Sequence, residues 1–100
     1  MIGKELVGKK FRTGEIGFKI LEIEPYSKRL VSDRYKKILA FREGFLVAVG
    51  FRGTLIPNIT LKDGVVRLTK IEISGQVFDR PKVISAALGI EEAMQPYELR

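Results

Sequence analysis

Glu22 and Glu24 stand two residues apart, so on a β-strand both carboxylates project from the same face. Two carboxylates so placed can hold Mg²⁺ for phosphoryl chemistry, which would make the chain a metal-dependent hydrolase. A solvated strand face accounts for the same pair, and the neighbouring Pro25 and Tyr26 add no third ligand. Other catalytic chemistry is poorly supplied. The chain has no histidine, so the usual general base near neutral pH is missing. It has no cysteine, which removes thiolate nucleophiles, disulfides and, with histidine absent, the common zinc sites. No Gly-x-x-x-x-Gly-Lys-Ser/Thr loop occurs, and Gly8, Gly14 and Gly17 do not fit Gly-x-Gly-x-x-Gly. The residues therefore point to a non-catalytic protein with no cofactor and no resident metal.

Binding chemistry is better represented. Residues 26–37 hold Lys28, Arg29, Arg34, Lys36 and Lys37 against Asp33 alone, with Tyr26 and Tyr35 interleaved. Cationic side chains neutralise phosphates and release counterions, and aromatic faces stack on unpaired bases. Lys9, Lys10 and Arg12 extend the set, as does Arg67 on a predicted hairpin. The formal net charge is +6, with 17 basic and 9 acidic residues in positions 1–82 and a mildly acidic remainder. This balance suits a nucleic-acid partner. A charged solvated surface with both tyrosine rings half buried is the bland alternative. A second functional class, a protein-interaction or homo-oligomer module, rests on residues 38–49, which are apolar at nearly every position.

These residues need elements to position them. Asp63-Gly64 between alternating runs predicts a two-residue hairpin that sets Leu61 opposite Val66 and Ile59 opposite Leu68. Thr60 then falls opposite Arg67, and Asn58 opposite Thr69, on a polar face. The apolar parity switches past Thr69, where Ile71 and Ile73 take over, and again where Ile16, Phe18 and Ile20 give way to Leu21 and Ile23. Such switches mark β-bulges, and bulged strands curl small sheets into barrels. Residues 38–49 read as a hairpin turning at Glu43-Gly44 with both faces apolar, so each face needs a cover. The barrel core is one cover, and a C-terminal helix is the other. Pro57 places its strand at an edge or near its start. Residues 25–37 fit a helix beginning at Pro25 and equally a short hairpin turning at Ser32-Asp33.

Toward the end, Asp79 can cap a helix with Pro81 in its first turn, and Val83, Ile84, Ala87 and Leu88 form an apolar stripe. Gly89 fits the C′ position with Ile90 behind it, and Pro96 limits a second helical piece over 91–95. The expected architecture is one domain over residues 1–100: a small antiparallel sheet of five or six strands, OB-like or SH3-like and closed or partly closed. The β part is 1–78 and the helical part 79–100. No apolar run approaches the roughly 20 residues that cross a bilayer. The N-terminal residues lack the apolar stretch of a signal peptide, so a cytoplasmic protein without membrane contact is expected. Few amides and abundant Lys, Arg and Glu give a balance seen in thermophile proteins.

Overall fold

A computed structural model describes residues 2–27 and 33–100. The strands are β1 (Lys10–Thr13), β2 (Ile16–Ser27), β3 (Phe45–Phe51), β4 (Thr54–Leu61), β5 (Gly64–Ile73), β6 (Gln76–Phe78) and β7 (Pro96–Glu98). One turn of helix, α1 (Asp33–Lys36), precedes β3, and a short helix, α2 (Pro81–Ala87), follows β6. Every strand pairing is antiparallel, in the order β1-β2-β5-β4-β3-β7, with β6 laid against β5 outside this path. The sheet curls until its two ends meet. The Arg12 N–H donates to the Arg100 carbonyl at 3.2 Å, and the Arg100 N–H donates back to the Arg12 carbonyl at 3.0 Å. The result is the nearly closed barrel anticipated from the parity switches.

Those switches turn out to be one irregularity seen from both sides. Ile20 pairs with Ile71, Glu22 with Lys70, and Ile23 with Leu68, so Leu21 on β2 and Thr69 on β5 are both skipped by the ladder. On either side of this bulge the inward positions change parity, from Phe18 and Ile20 to Ile23 on β2, and from Leu68 to Ile71 on β5. The extra residue on each strand bends the pair and lets it wrap the core.

Strands β3, β4 and β5 follow one another through hairpins, and β2 lies beside β5, which makes a Greek key. Of the connection from β2 to β3, Tyr35, Ile38, Leu39 and Phe41 cover the outer face of β3, β4 and β5. This decides how residues 38–49 are used. They do not form a hairpin: Ile38–Ala40 is a turn of 3₁₀-helix, and the strand begins only at Phe45. Alternate residues of β3 nevertheless enter two separate cores. Leu46 and Ala48 face the barrel interior with Phe18, Ile20, Ile59, Val66, Leu68 and Ile71. Val47 and Val49 face outward onto Tyr35, Ile38, Ile56 and Val65. The second cover is thus the crossover and not the C-terminal helix, whose Ile84 and Leu88 join the barrel interior instead.

Four further expectations are corrected by the backbone. The β4–β5 hairpin turns at Lys62-Asp63, with Leu61 opposite Gly64, Ile59 opposite Val66 and Asn58 opposite Arg67. The shift from the expected pairing is two residues, so each side chain keeps its face. Gly64 is spent on another demand: a Cβ there would collide with the Tyr26 carbonyl oxygen, where β2 closes on β5. Pro57 lies inside β4, on the half that pairs with β3 before the β5 ladder begins at Asn58. The open side of that half is covered by α2, whose Ser85 hydroxyl donates to the Leu55 carbonyl at 2.6 Å. Residues 91–95 are a turn and not a helix, and Pro96 opens strand β7, a position where a missing N–H is tolerated. Helix α2 itself starts at Pro81 without a side-chain cap from Asp79 or Arg80. It ends as predicted: Gly89 has φ 72°, its N–H reaches the Ala86 carbonyl at 3.1 Å, and Ile90 donates to Ser85 at 2.9 Å.

Candidate nucleic-acid interface

Strand β2 positions most of the candidate residues, and it separates them. At its C-terminal end Tyr26 stacks on Tyr35, ring centroids 5.0 Å apart and planes 18° from parallel. Tyr35 is buried in the outer core, so this ring is placed as packing and not as a free platform for a base. The Tyr26 hydroxyl donates to Glu24 at 2.8 Å. Burial, and then that bond, push the phenol pKa above its ordinary 10.0. Glu24 also faces Arg67 at 4.0 Å, and Glu22 faces Lys70 at 3.7 Å. The two carboxylates proposed as a metal pair are therefore each matched with a cation on β5. Among the described residues no three His, Cys, Asp or Glu side chains cluster at metal-binding distance.

Of the remaining predicted residues at this end, Lys36 is exposed and pairs with Asp33 at 2.8 Å, and Lys37 is exposed beside it. Arg34 lies in α1. Lys28 and Arg29 lie outside the described residues. Segment 25–37 is thus neither of the two forms expected of it as a whole: 25–27 complete β2, and 33–36 form one helical turn.

A second group gathers at the opposite end of β2. Lys10 and Arg12 alternate outward along β1 while Phe11 and Thr13 turn inward. Cross-strand register sets Lys10 opposite Lys19 and Arg12 opposite Gly17, and Lys19 is opposite Glu72 on β5. The groove they form has a volume of about 470 Å³, and Arg100 reaches it from the barrel seam. Its charged lining is Lys10, Arg12, Lys19 and Arg100 against Glu72. Among the described residues the ion pairs are those of Lys36, Arg67 and Lys70, so the four groove cations are left for solvent or a ligand. Lys9 is exposed just before β1 and does not line the groove. Gly17 and Glu24 are seven residues apart, roughly 23 Å along a strand, so the expected continuous patch is split in two.

No protein-family model, curated protein or solved structure matches this chain. The site must be judged on its own residues. Lys19 and Arg100 were missed by the sequence reading. A signal for Lys19 was present: pairing β1 and β2 about Gly14-Glu15 puts it beside Lys10. Arg100 had none, because its place depends on barrel closure. No helix among the described residues is long and apolar enough to cross a membrane.

Proposed function

We propose that this chain is a non-catalytic module that binds nucleic acid through its phosphate backbone, with the groove of Lys10, Arg12, Lys19 and Arg100 as the contact surface. The observation that carries the reading is that these four cationic side chains share one concave surface with one acidic side chain, Glu72, and have no ion-pair partner among the described residues. Cations left unneutralised in a concavity attract polyanions and release their counterions on contact. The net charge of +6 adds long-range attraction. Within residues 26–37, Tyr35 stacks on Tyr26 and Lys36 pairs with Asp33, and Arg67 on β5 pairs with Glu24, so these side chains are less available to a ligand than the groove cations.

The interaction-module alternative drew on an uncovered apolar face of residues 38–49. Val47 and Val49 on that face are packed from within the chain by Tyr35 and Ile38, so this reading has less support than the groove.

Fluorescence anisotropy on short labelled oligonucleotides across a salt series tests the proposal. Affinity should fall with salt, with a log–log slope of about −0.7 for each single-strand phosphate engaged. The double substitution Arg12→Gln, Lys19→Gln should flatten the slope by about 1.4 on that scale. Absence of binding at low salt, or a slope untouched by the double substitution, would sink it.

A further inference from the structure

Gly17 lines this groove, and nothing in the backbone requires a glycine there. It is not among the residues with positive φ. A Cβ built on it would find no atom nearer than the Phe11 carbonyl oxygen at 4.0 Å. An exposed strand position normally favours a β-branched or aromatic residue, and glycine there gives up backbone entropy and packing. Glycine inside a strand with neither a bulge nor a bend to explain it often marks a place where a ligand or another backbone comes close.

The hydrogen-bonding direction of Gly17 fits that reason. The Arg12 N–H and C=O are both turned away from β2, toward Arg100, so Arg12 and Gly17 form a non-hydrogen-bonded pair. The Gly17 N–H therefore points to the β5 side of β2. There the ladder begins only at Lys19–Glu72, and the chain of β5 has already left the sheet at the Ser74-Gly75 turn. The groove floor thus offers a backbone donor with no ladder partner. Arg12 stands across from it, Lys19 is on the same face two residues on, and Lys10 and Arg100 flank it.

From this we infer that the groove is a one-nucleotide slot for single-stranded nucleic acid, in which a phosphate seats over Gly17. A non-bridging oxygen accepts the Gly17 N–H, and Arg12, Lys19, Lys10 and Arg100 surround the rest of the charge. The inference rests on the nucleic-acid reading and adds strand selectivity to it. A volume of about 470 Å³ is that of a small-ligand site and holds one nucleotide unit. A flexible strand can turn one phosphate into such a slot. A duplex holds its phosphates on a stiff convex surface and can touch only the rim.

The test compares a labelled single strand with its duplex on wild type, Gly17→Val and Gly17→Ala. All three proteins carry the same charge, and valine suits an exposed strand position, so thermal melting should show no loss of fold. Wild type should bind the single strand at least about tenfold more tightly than the duplex at low salt, and Gly17→Val should erase most of that margin while duplex binding stays as it was. Gly17→Ala should fall between the two, and it serves as the readout in its own right should valine lower the melting temperature. Equal wild-type affinity for both forms, or full single-strand affinity in a folded Gly17→Val, would overturn the slot and leave the nucleic-acid reading standing. Binding of neither form by wild type would remove the reading itself.

Discussion

At the scale of single residues, hydroxyls and amides on the outer face of β4 do what a purely apolar strand cannot. Thr60 is buried, donates to the Arg42 carbonyl at 2.5 Å, and accepts the Phe45 N–H at 3.0 Å. One side chain thereby fixes the end of the crossover to the barrel. Thr60→Val keeps the shape but leaves two main-chain groups unpaired, and it should cost about 1–3 kcal/mol in urea denaturation. An unchanged midpoint would mean that solvent takes over both bonds. Asn58, next but one on the same face, donates to Ile56 at 2.9 Å and leaves its carbonyl oxygen without a partner, while the Arg67 Nε opposite is also unpartnered. We have no physical account of that mismatch. Tyr26 makes a pH-dependent contribution. Its folded pKa lies above the unfolded value, so the folded state retains a proton that the unfolded chain begins to lose near pH 10. That stabilisation is complete below about pH 10 and is lost as pH rises through the folded value. Melting temperature should therefore fall less steeply above pH 10 in Tyr26→Phe than in wild type, and identical slopes would exclude the phenol as the cause.

At the scale of elements, the crossover from β2 to β3 is as much a part of the core as the strands. Ile38 is fully buried, although it lies in a turn of 3₁₀-helix on the outside of the barrel. Ile38→Ala should cost about 2–5 kcal/mol, as an interior barrel position would, and guanidinium unfolding would measure it. A cost well under 1 kcal/mol would make the crossover a dispensable cover. How such an element escaped the sequence reading is clear from its residues. Ile38, Leu39 and Phe41 are apolar because they pack onto Val47, Val49 and Val65, and the same composition fits a strand. Short apolar runs carry no period long enough to separate the two. Helix α2 was legible because its stripe spans two turns and ends in Gly89-Ile90. Strand β7 was not, because three residues beginning with proline carry almost no strand signal.

For the whole molecule, closure rests on a narrow seam. Arg12 and Arg100 exchange one pair of hydrogen bonds, with the cationic groove on one side and a cleft of about 350 Å³ lined by Thr13, Pro96 and Tyr97 on the other. Strand β5, by contrast, is paired along most of its length on both sides. Local opening draws on regions with few buried contacts, so the Arg12 and Arg100 amides should exchange hydrogen faster than those of Val66 and Leu68 under native conditions. Equal protection would show that the ring opens only when the whole domain unfolds. Because Arg100 reaches the groove only through this seam, closure also sets how many cations the groove holds.

The sequence by itself determined the class of fold and the faces. Alternation, two parity switches and a glycine-ended helix stripe are local patterns with periods of their own, and they specify which side chains turn inward whatever they meet there. It also shows that imidazole and thiolate side chains are missing, since residue types need no coordinates. Tertiary structure alone decided the partners. The two parity switches became adjacent bulges on either side of the Glu22–Lys70 pair only when β2 lay against β5. Val47 and Val49 gained their cover only when the Greek key drew the crossover over them. Within 26–37, Tyr35 was taken up by packing and Lys36 by an ion pair, and the groove was assembled from three strands and a residue at the far end of the chain. Charge placed along a chain is a local property, whereas a concave cluster of charge depends on long-range register and closure.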